Sequence, residues 1–428
     1  DQFKPTNSNT AYLNTNLSYT APVTKNLSAL VRYGIDLNNN SSDQESYSQS
    51  VPGSGNYDIL DTAFSNNYKF NQFSNSAGLN FSYSTGGKIT LTFGTTVADV
   101  NFKQVDENSG LVLKRNFTNW RPSGRLLYNI GPSNSLSINY SGYNSQPSIS
   151  QIQPVKNNDN AAIIFEGNAG LKASFRQYIS VNYSKYRQIT NTGFSAYGSF
   201  SINSNSIIQK QTIDANNIST IQYVNLAGKS PFSYNLSVSK DRRTKLFTGS
   251  HLYFTLSTSG NGSYNYVNGV LDKNSNESYQ LSARLNRVKK NKHTVNVTII
   301  PNYSFNTDQL QPSFNYHAAG FKTNDDVTVF LTKKLQIFTE LKYSYWGKTR
   351  SLRARNYTIW NAALSETFLK EDNLKISLSG NNLLDQNLNT MYQNGSTISQ
   401  NTYNSIKRYF MLSVSWDFTK FGKTAEKK

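Results

Sequence analysis

Through most of this chain, apolar and polar residues alternate one for one, and that period fixes what it can fold into. Leu13, Thr15, Leu17, Tyr19 and Ala21 alternate with Asn14, Asn16, Ser18 and Thr20. Ile89, Leu91, Phe93, Thr95 and Val97 alternate with Thr90, Thr92, Gly94 and Thr96. The same rhythm returns at Leu136–Tyr140, Phe232–Val238, Val295–Ile299, Leu374–Leu378 and Phe410–Phe418. Successive side chains on a strand point to opposite faces, so each such run makes a strand with one apolar and one polar face. The longest notable apolar run, Ala161–Phe165 (AAIIF), falls far short of the roughly 18 residues a membrane helix needs. Helical crossing is excluded. Crossing by strands is not, because a barrel strand exposes only alternate residues to lipid.

A soluble sandwich would alternate in the same way, so two further features decide. Short connections, Ser84–Lys88 (STGGK), Gly131–Ser135 (GPSNS), Asp241–Lys245 (DRRTK), Val288–Lys292 (VKKNK) and Glu371–Asn373 (EDN), alternate with long ones. The long ones are expected near Asn38–Thr62, Gln146–Gly170, Ser263–Glu277 and Asp385–Ile406. Barrels of the outer membrane have short periplasmic turns and long external loops, whereas a sandwich has no reason to alternate them. Aromatics also sit near apparent strand ends, at Tyr19, Tyr83, Tyr143, Tyr303, Tyr345 and Phe418, as interfacial girdles require. The sequence thus predicts an all-β fold, an antiparallel transmembrane β-barrel of about 17 strands, counted to about two. Single-chain bacterial barrels carry an even number. The first strand, near Ala11–Thr20, and the last, Tyr409–Phe418, both run from the long-loop side to the short-turn side. The expectation is that N-terminal strands are missing, with the barrel over residues 1–421 and a basic tail over 422–428. No helix-period segment is long enough for a separate domain, and no solenoid-type repeat is present.

Composition supports this frame. The 428 residues are only 36% hydrophobic, yet they include 28 Tyr and 24 Phe, recurring too regularly for a disordered Asn- and Ser-rich chain. The absence of cysteine excludes disulfides and thiolate metal sites. A net charge of +18 raises nucleic-acid binding. The charges are dispersed over turns and strand ends, which favours contact with anionic lipid head groups instead. Membrane lipid is therefore an expected partner and nucleic acid is not. Residues Asp1–Ala11 lack the basic start and apolar stretch of a signal peptide, so either a signal was removed or the chain begins inside a larger protein.

Candidate chemistry is sparse. His251, His293 and His317 are scattered, with no metal-ligand spacing. Asp36, Asn38 and Asn40 are spaced like the start of a calcium loop, but Ser41 replaces the required Gly and Tyr47 the closing Glu. An Asn-rich external loop is the better reading. Gly260–Gly262 is a lone G-x-G without the strand–turn–helix context of a phosphate loop. The Asn26–Ser28 sequon is expected by chance in this composition. Glu166, Glu340 and Glu366 are widely spaced, and Glu340, alternating with Leu341, is expected to face inward. No nucleophile–base constellation is visible, so the chain is expected not to be an enzyme, with no catalytic residue, no metal and no cofactor.

Several stretches, in order, carry a resemblance. They are Leu17–Val23 (LSYTAPV) with its Lys-containing turn, Asp61–Phe70 (DTAFSNNYKF), and Gln146–Val155 (QPSISQIQPV) followed by Gly167–Lys172 (GNAGLK). Tyr223–Lys229 (YVNLAGK), Ser379–Asn387 (SGNNLLDQN) and Lys407–Phe418 (KRYFMLSVSWDF) complete the set. From about Tyr12 to Phe421 the chain resembles the outer-membrane β-barrel family related to TonB-dependent receptors. Ala169 stands where a Pro often follows the Gly–Asn pair. The resemblance implies a bacterial outer-membrane location and a 22-stranded barrel around an N-terminal plug, which this sequence does not show. It implies import of a ligand captured by external loops, an energy-coupling partner reached only through the plug, and possible capping by a surface lipoprotein. Tyr223–Lys229 resembles a mid-barrel strand, and Phe418 the aromatic that assists assembly. The segments expected to meet ligand are Asn38–Thr62, Gln146–Gly170 and Asp385–Ile406, without a choice of residues. A plugless passive porin or structural outer-membrane protein, and a soluble all-β adhesin, are the competing readings.

Overall fold

A computed structural model describes residues 2–62, 65–108, 110–152, 163–244, 249–349, 353–369, 372–386, 390–393, 399–402 and 406–417. It is almost wholly strand. Among the described residues, seventeen strands of eight residues or more form its walls. They are β1 (Thr6–Pro22), β2 (Leu27–Gln44), β3 (Asn66–Thr85), β4 (Ile89–Asp106), β5 (Val112–Gly131) and β6 (Asn134–Ser145). Next come β7 (Ser174–Arg187), β8 (Thr192–Ser204), β9 (Phe232–Thr244), β10 (Ser250–Val267), β11 (Val270–Lys289) and β12 (His293–Asp308). The last are β13 (Tyr316–Phe330), β14 (Leu335–Trp346), β15 (Arg355–Phe368), β16 (Leu374–Asn381) and β17 (Tyr409–Trp416). The main sheet counts 20 strands, because Ile163–Glu166, Ile207–Ile213 and Ser219–Asn225 join it from the connections. These three are too short and too embedded in loops to show as alternation. The seventeen long strands match the count read from the sequence.

Connections alternate as expected. One series, 23–26, 86–88, 132–133, 188–191, 245–249, 290–292, 331–334 and 369–373, never exceeds five residues. The other includes 45–65, 146–173, 205–231 and 382–408. Three expectations need correction. Ser263–Glu277 is not a long connection: β10 and β11 run through it and meet at a two-residue turn, Asn268–Gly269. Both turn residues are left-handed, with φ of 48° and 81°, and this turn type matches strand twist only when Asn and Gly are there to adopt it. Likewise β2 continues through Asn38, Asn39 and Asn40 to Gln44, so the first long connection begins at Glu45. Strand β9 also extends through most of Asp241–Lys245, ending at Thr244.

The contacts divide the chain into two units. In the first, β1 to β6 form a meander. β3 pairs with β2 from Leu27↔Tyr83 to Gln44↔Asn66, and β4 with β3 from Thr85↔Ile89 to Tyr68↔Asp106. One face carries Val31, Leu79, Phe93, Val97 and Trp120, all exposed apolar residues. The register puts Val31 beside Leu79 and Val97 beside Trp120. The opposite face buries Phe70, Val100, Phe102, Phe117, Gln104 and Asn119. An outward lipid face and an inner face covered by loops account for both sets.

In the second unit, β12 to β17 pair in sequence order, β16 taking β17 across the long 382–408 connection. Ile299, Tyr303, Val329, Leu341, Leu364 and Leu378 are exposed on the outward face. The inner face is a polar network. Asn296 Nδ2 donates to Asp326 at 2.8 Å, Asn361 Nδ2 to Glu340 at 2.9 Å, and Ser365 Oγ to Ser377 Oγ at 2.9 Å. Lys342 Nζ lies 2.6 Å from the Glu340 carboxylate. The expected inward placement of Glu340 is observed.

Of the girdle candidates, Tyr19, Tyr83, Tyr303 and Tyr345 share the outward parity of their strands. Tyr143 does not. In β6 the outward residues are Leu136, Ile138 and Tyr140, paired with Tyr128, Leu126 and Gly124. Tyr143 has the opposite parity, and its hydroxyl accepts a hydrogen bond from Arg176 at 3.2 Å. Phe418 and the tail 422–428 lie outside the described residues.

Candidate functional site

The long connections after β6 and β8 are not independent loops. Two motifs far apart in sequence, Gly167–Lys172 and Tyr223–Lys229, meet on the inner face and lock together. Asn225 is the hub: its Oδ1 accepts from the Lys172 N–H at 2.8 Å, and its Nδ2 donates to the Lys172 carbonyl at 2.9 Å and the Asn205 carbonyl at 3.1 Å. Asn168 Nδ2 donates to the Tyr223 carbonyl at 2.9 Å, and Asn205 Nδ2 to the Ala173 carbonyl at 2.9 Å. An Asn amide offers donor and acceptor together, so it can replace a backbone partner on either side of a loop. Short parallel pairing of Ile163–Glu166 with Ser219–Gln222 extends the join.

The clasp is anchored to the wall. Arg115 of β5 donates to the carbonyls of Ala169 and, at 2.5 Å, of Leu171. Leu171 is fully buried, Leu226 nearly so, and Ile152 packs into the inner-face cluster with Phe70, Phe102 and Phe117. The Phe102 ring lies 5.6 Å from Phe70 and 5.8 Å from Phe117. These aromatics point inward because loop residues cover them there. Mid-barrel placement of Tyr223–Lys229 is therefore corrected: only its first three residues are strand, and they belong to the loop-borne hairpin of Ile207–Ile213 with Ser219–Asn225.

The first long connection is ordered by its own polar contacts. Asp58 accepts from the Ser50 N–H at 2.9 Å and the Ser50 hydroxyl at 2.8 Å, which holds its carboxyl below the ordinary range. The Tyr47 hydroxyl donates to Glu45, and the carboxylate beside it pushes the phenol up. Within the third expected ligand segment, Arg408 N–H donates to Asp385 at 3.0 Å, while residues 387–389, 394–398 and 403–405 lie outside the described residues.

The remaining candidates fall elsewhere. Asp36, Asn38 and Asn40 are strand residues of β2, not a loop, and Asp36 accepts from Tyr12 at 3.3 Å and from Asn14. Gly260–Gly262 lies within β10. His251 stacks on Tyr253, His317 packs edge-on to Phe305, and His293 opens β12 after its turn. Glu166 ends a short loop strand, and Glu366 lies near the end of β15. Among the described residues, no three His, Asp or Glu side chains gather as a metal site would need.

Antiparallel strands with an apolar outer face, a polar inner face and one series of long connections define an outer-membrane β-barrel protein. The chain belongs to the outer membrane protein beta-barrel family, whose model matches residues 2–416. That membership and this architecture place it in the bacterial outer membrane. No curated protein matches the sequence. Among solved structures it is similar to the ferripyoverdine receptor of the outer membrane of Pseudomonas aeruginosa, with 12% identity, 96% of this chain and 56% of that chain covered, and a TM-score of 0.42. It is also similar to the siderophore receptor PiuA from Acinetobacter baumannii, with 11% identity, 96% and 64% coverage and a TM-score of 0.41. For the siderophore receptor PirA from Pseudomonas aeruginosa the values are 11%, 95%, 77% and 0.38. The chain spans a little over half the length of the ferripyoverdine receptor.

Proposed function

We propose that this barrel serves a non-enzymatic importer of the TonB-dependent-receptor type, capturing a ligand at its loop-bearing end. The observation that supports this most is the clasp. Two long connections are knitted to each other by Asn168, Asn205 and Asn225 and to the wall by Arg115. A recognition surface gains affinity when its loops are ordered before the ligand arrives, and a simple pore wall has no need of it. Energy coupling in such importers passes through a plug, and a surface lipoprotein could cap the same end. Both belong to this reading, with the ligand left open.

A passive porin is the second reading. Its support is the polar inner wall of the first unit, where Arg32, Arg121 and Arg125 are exposed. Uptake by source cells with the gene intact or deleted separates the two. An importer loses selective uptake when an uncoupler collapses the proton gradient, and the purified protein shows no large open conductance in a planar bilayer. Flux that persists with the uncoupler, together with a steady ohmic pore, would overturn the importer reading.

A further inference from the structure

We propose that the outward face of β2 to β5, just above the apolar band, binds the phosphate of an outer-leaflet glycolipid. The band itself is marked on β4 by Ile89, Leu91, Phe93 and Val97, ending beside Trp120 of β5. Beyond it the same face turns polar: Asp99, Asn101 and Lys103 on β4, then Asn116 and Lys114 on β5. From Ile89 to Lys103 the strand rises about 48 Å along its length, or roughly 33 Å in height at a tilt near 45°, against an apolar band of about 25 Å. Lys103 therefore stands at head-group level, on the side of the wall that meets lipid.

Lys103 and Lys114 are direct register partners. Both are exposed, and neither ammonium is in an ion pair among the described residues. Like charges directly opposite on adjacent strands destabilise a sheet. An anion seated between them would convert that repulsion into two attractions. Nearby charges are otherwise engaged. Lys69 pairs with Glu107 at 2.5 Å, and Arg115 points inward to the Leu171 carbonyl. Asp99 accepts from Asn101 Nδ2 at 2.8 Å and Asn116 Nδ2 at 3.0 Å. The two lysines border a groove of about 530 Å³. Leu37 and Phe73 line its apolar part, and Asn39, Asn71, Asn101 and Asn116 its polar part. Amides that both donate and accept suit sugar hydroxyls, and the apolar pair suits a sugar ring face. Phosphate, sugar and a membrane position together point to a phosphorylated glycolipid anchored in the outer leaflet.

The test uses the full chain in nanodiscs doped with lipid A carrying its phosphates, or with dephosphorylated lipid A, and reads lipid retention by native mass spectrometry. Phosphorylated lipid is expected to bind in preference. A K103Q/K114Q pair should weaken that binding about thirtyfold, from roughly a fivefold contribution per surface charge, and K103R/K114R should restore it. Unchanged heat-modifiable gel migration of the variants excludes misfolding as the cause. Equal retention of both lipids, or full retention by K103Q/K114Q, would overturn the proposal. So would displacement by millimolar inorganic phosphate, which would mark a site for a soluble anion instead.

Discussion

Replacing Asn225 with alanine should unlock the clasp while leaving the barrel wall intact. The substitution removes three side-chain hydrogen bonds, at 2.8, 2.9 and 3.1 Å, that join Lys172 and Asn205 to one amide. A hydrogen bond contributes about 0.5–1.5 kcal/mol net, which would give roughly 1.5–4.5 kcal/mol for three. These bonds are partly open to solvent, so the lower half of that range, about 2 kcal/mol, is the expected loss. It falls on the local opening of residues 163–173 and 205–226, because neither segment lies in a wall strand. A 2 kcal/mol change raises the open population about thirtyfold. Hydrogen exchange followed by mass spectrometry should show peptides covering 167–173 exchanging that much faster in N225A. Peptides from β3 and β4 should keep the parent rate, and heat-modifiable migration should be unchanged. Exchange in 167–173 that stays at the parent rate would refute the idea that Asn225 joins the two connections.

The remaining expectations concern the wall, one turn and one loop. Phe93→Arg puts a charge on the outward face, where midplane Arg costs about 2–4 kcal/mol, whereas Thr92→Arg faces inward and should cost less than about 1 kcal/mol. Comparative folding into bilayers checks the difference, and equal costs would reverse the face assignment. Gly269→Ala should destabilise the β10–β11 hairpin by about 1–2 kcal/mol, since φ is 81° there, and urea titration of bilayer-inserted protein reads it. For Asp58 the bound carboxyl titrates below its free value, so the Ser50 contact is complete above the ordinary carboxylate range and lost as pH falls through the depressed value. Proteolysis of residues 50–58 should rise below about pH 4 in the parent, and the pH dependence should vanish in Asp58→Asn.

What the sequence could and could not disclose follows from the range of the forces involved. Alternation is local, so a count of about seventeen long strands was readable, and the parity of Glu340 against Leu341 gave its inward face. The parity of Leu136, Ile138 and Tyr140 would also have placed Tyr143 inward. Proximity to a strand end is the weaker signal, because parity alone decides which face a strand residue takes. At Asn268–Gly269 the hairpin signal was present, but it was hidden in a Ser- and Asn-rich stretch that looks like loop. The clasp was not readable at all. Asn225 meets Lys172 across 53 residues, and nothing in either motif alone names the other. The inward Phe70, Phe102 and Phe117 break the polar-inside rule because Ile152, from a distant connection, covers them.

The length of β3 to β5 has a consequence for what approaches the cell. Strands of 18–20 residues stand about 45 Å tall at a 45° tilt, some 20 Å more than the apolar band requires. The surplus is a rigid parapet rather than a fringe of loops. A phage, an antibody or a bulky solute arriving from outside meets a hydrogen-bonded rampart at the height of the surrounding sugars, and only a molecule that passes its rim reaches the clasped connections within.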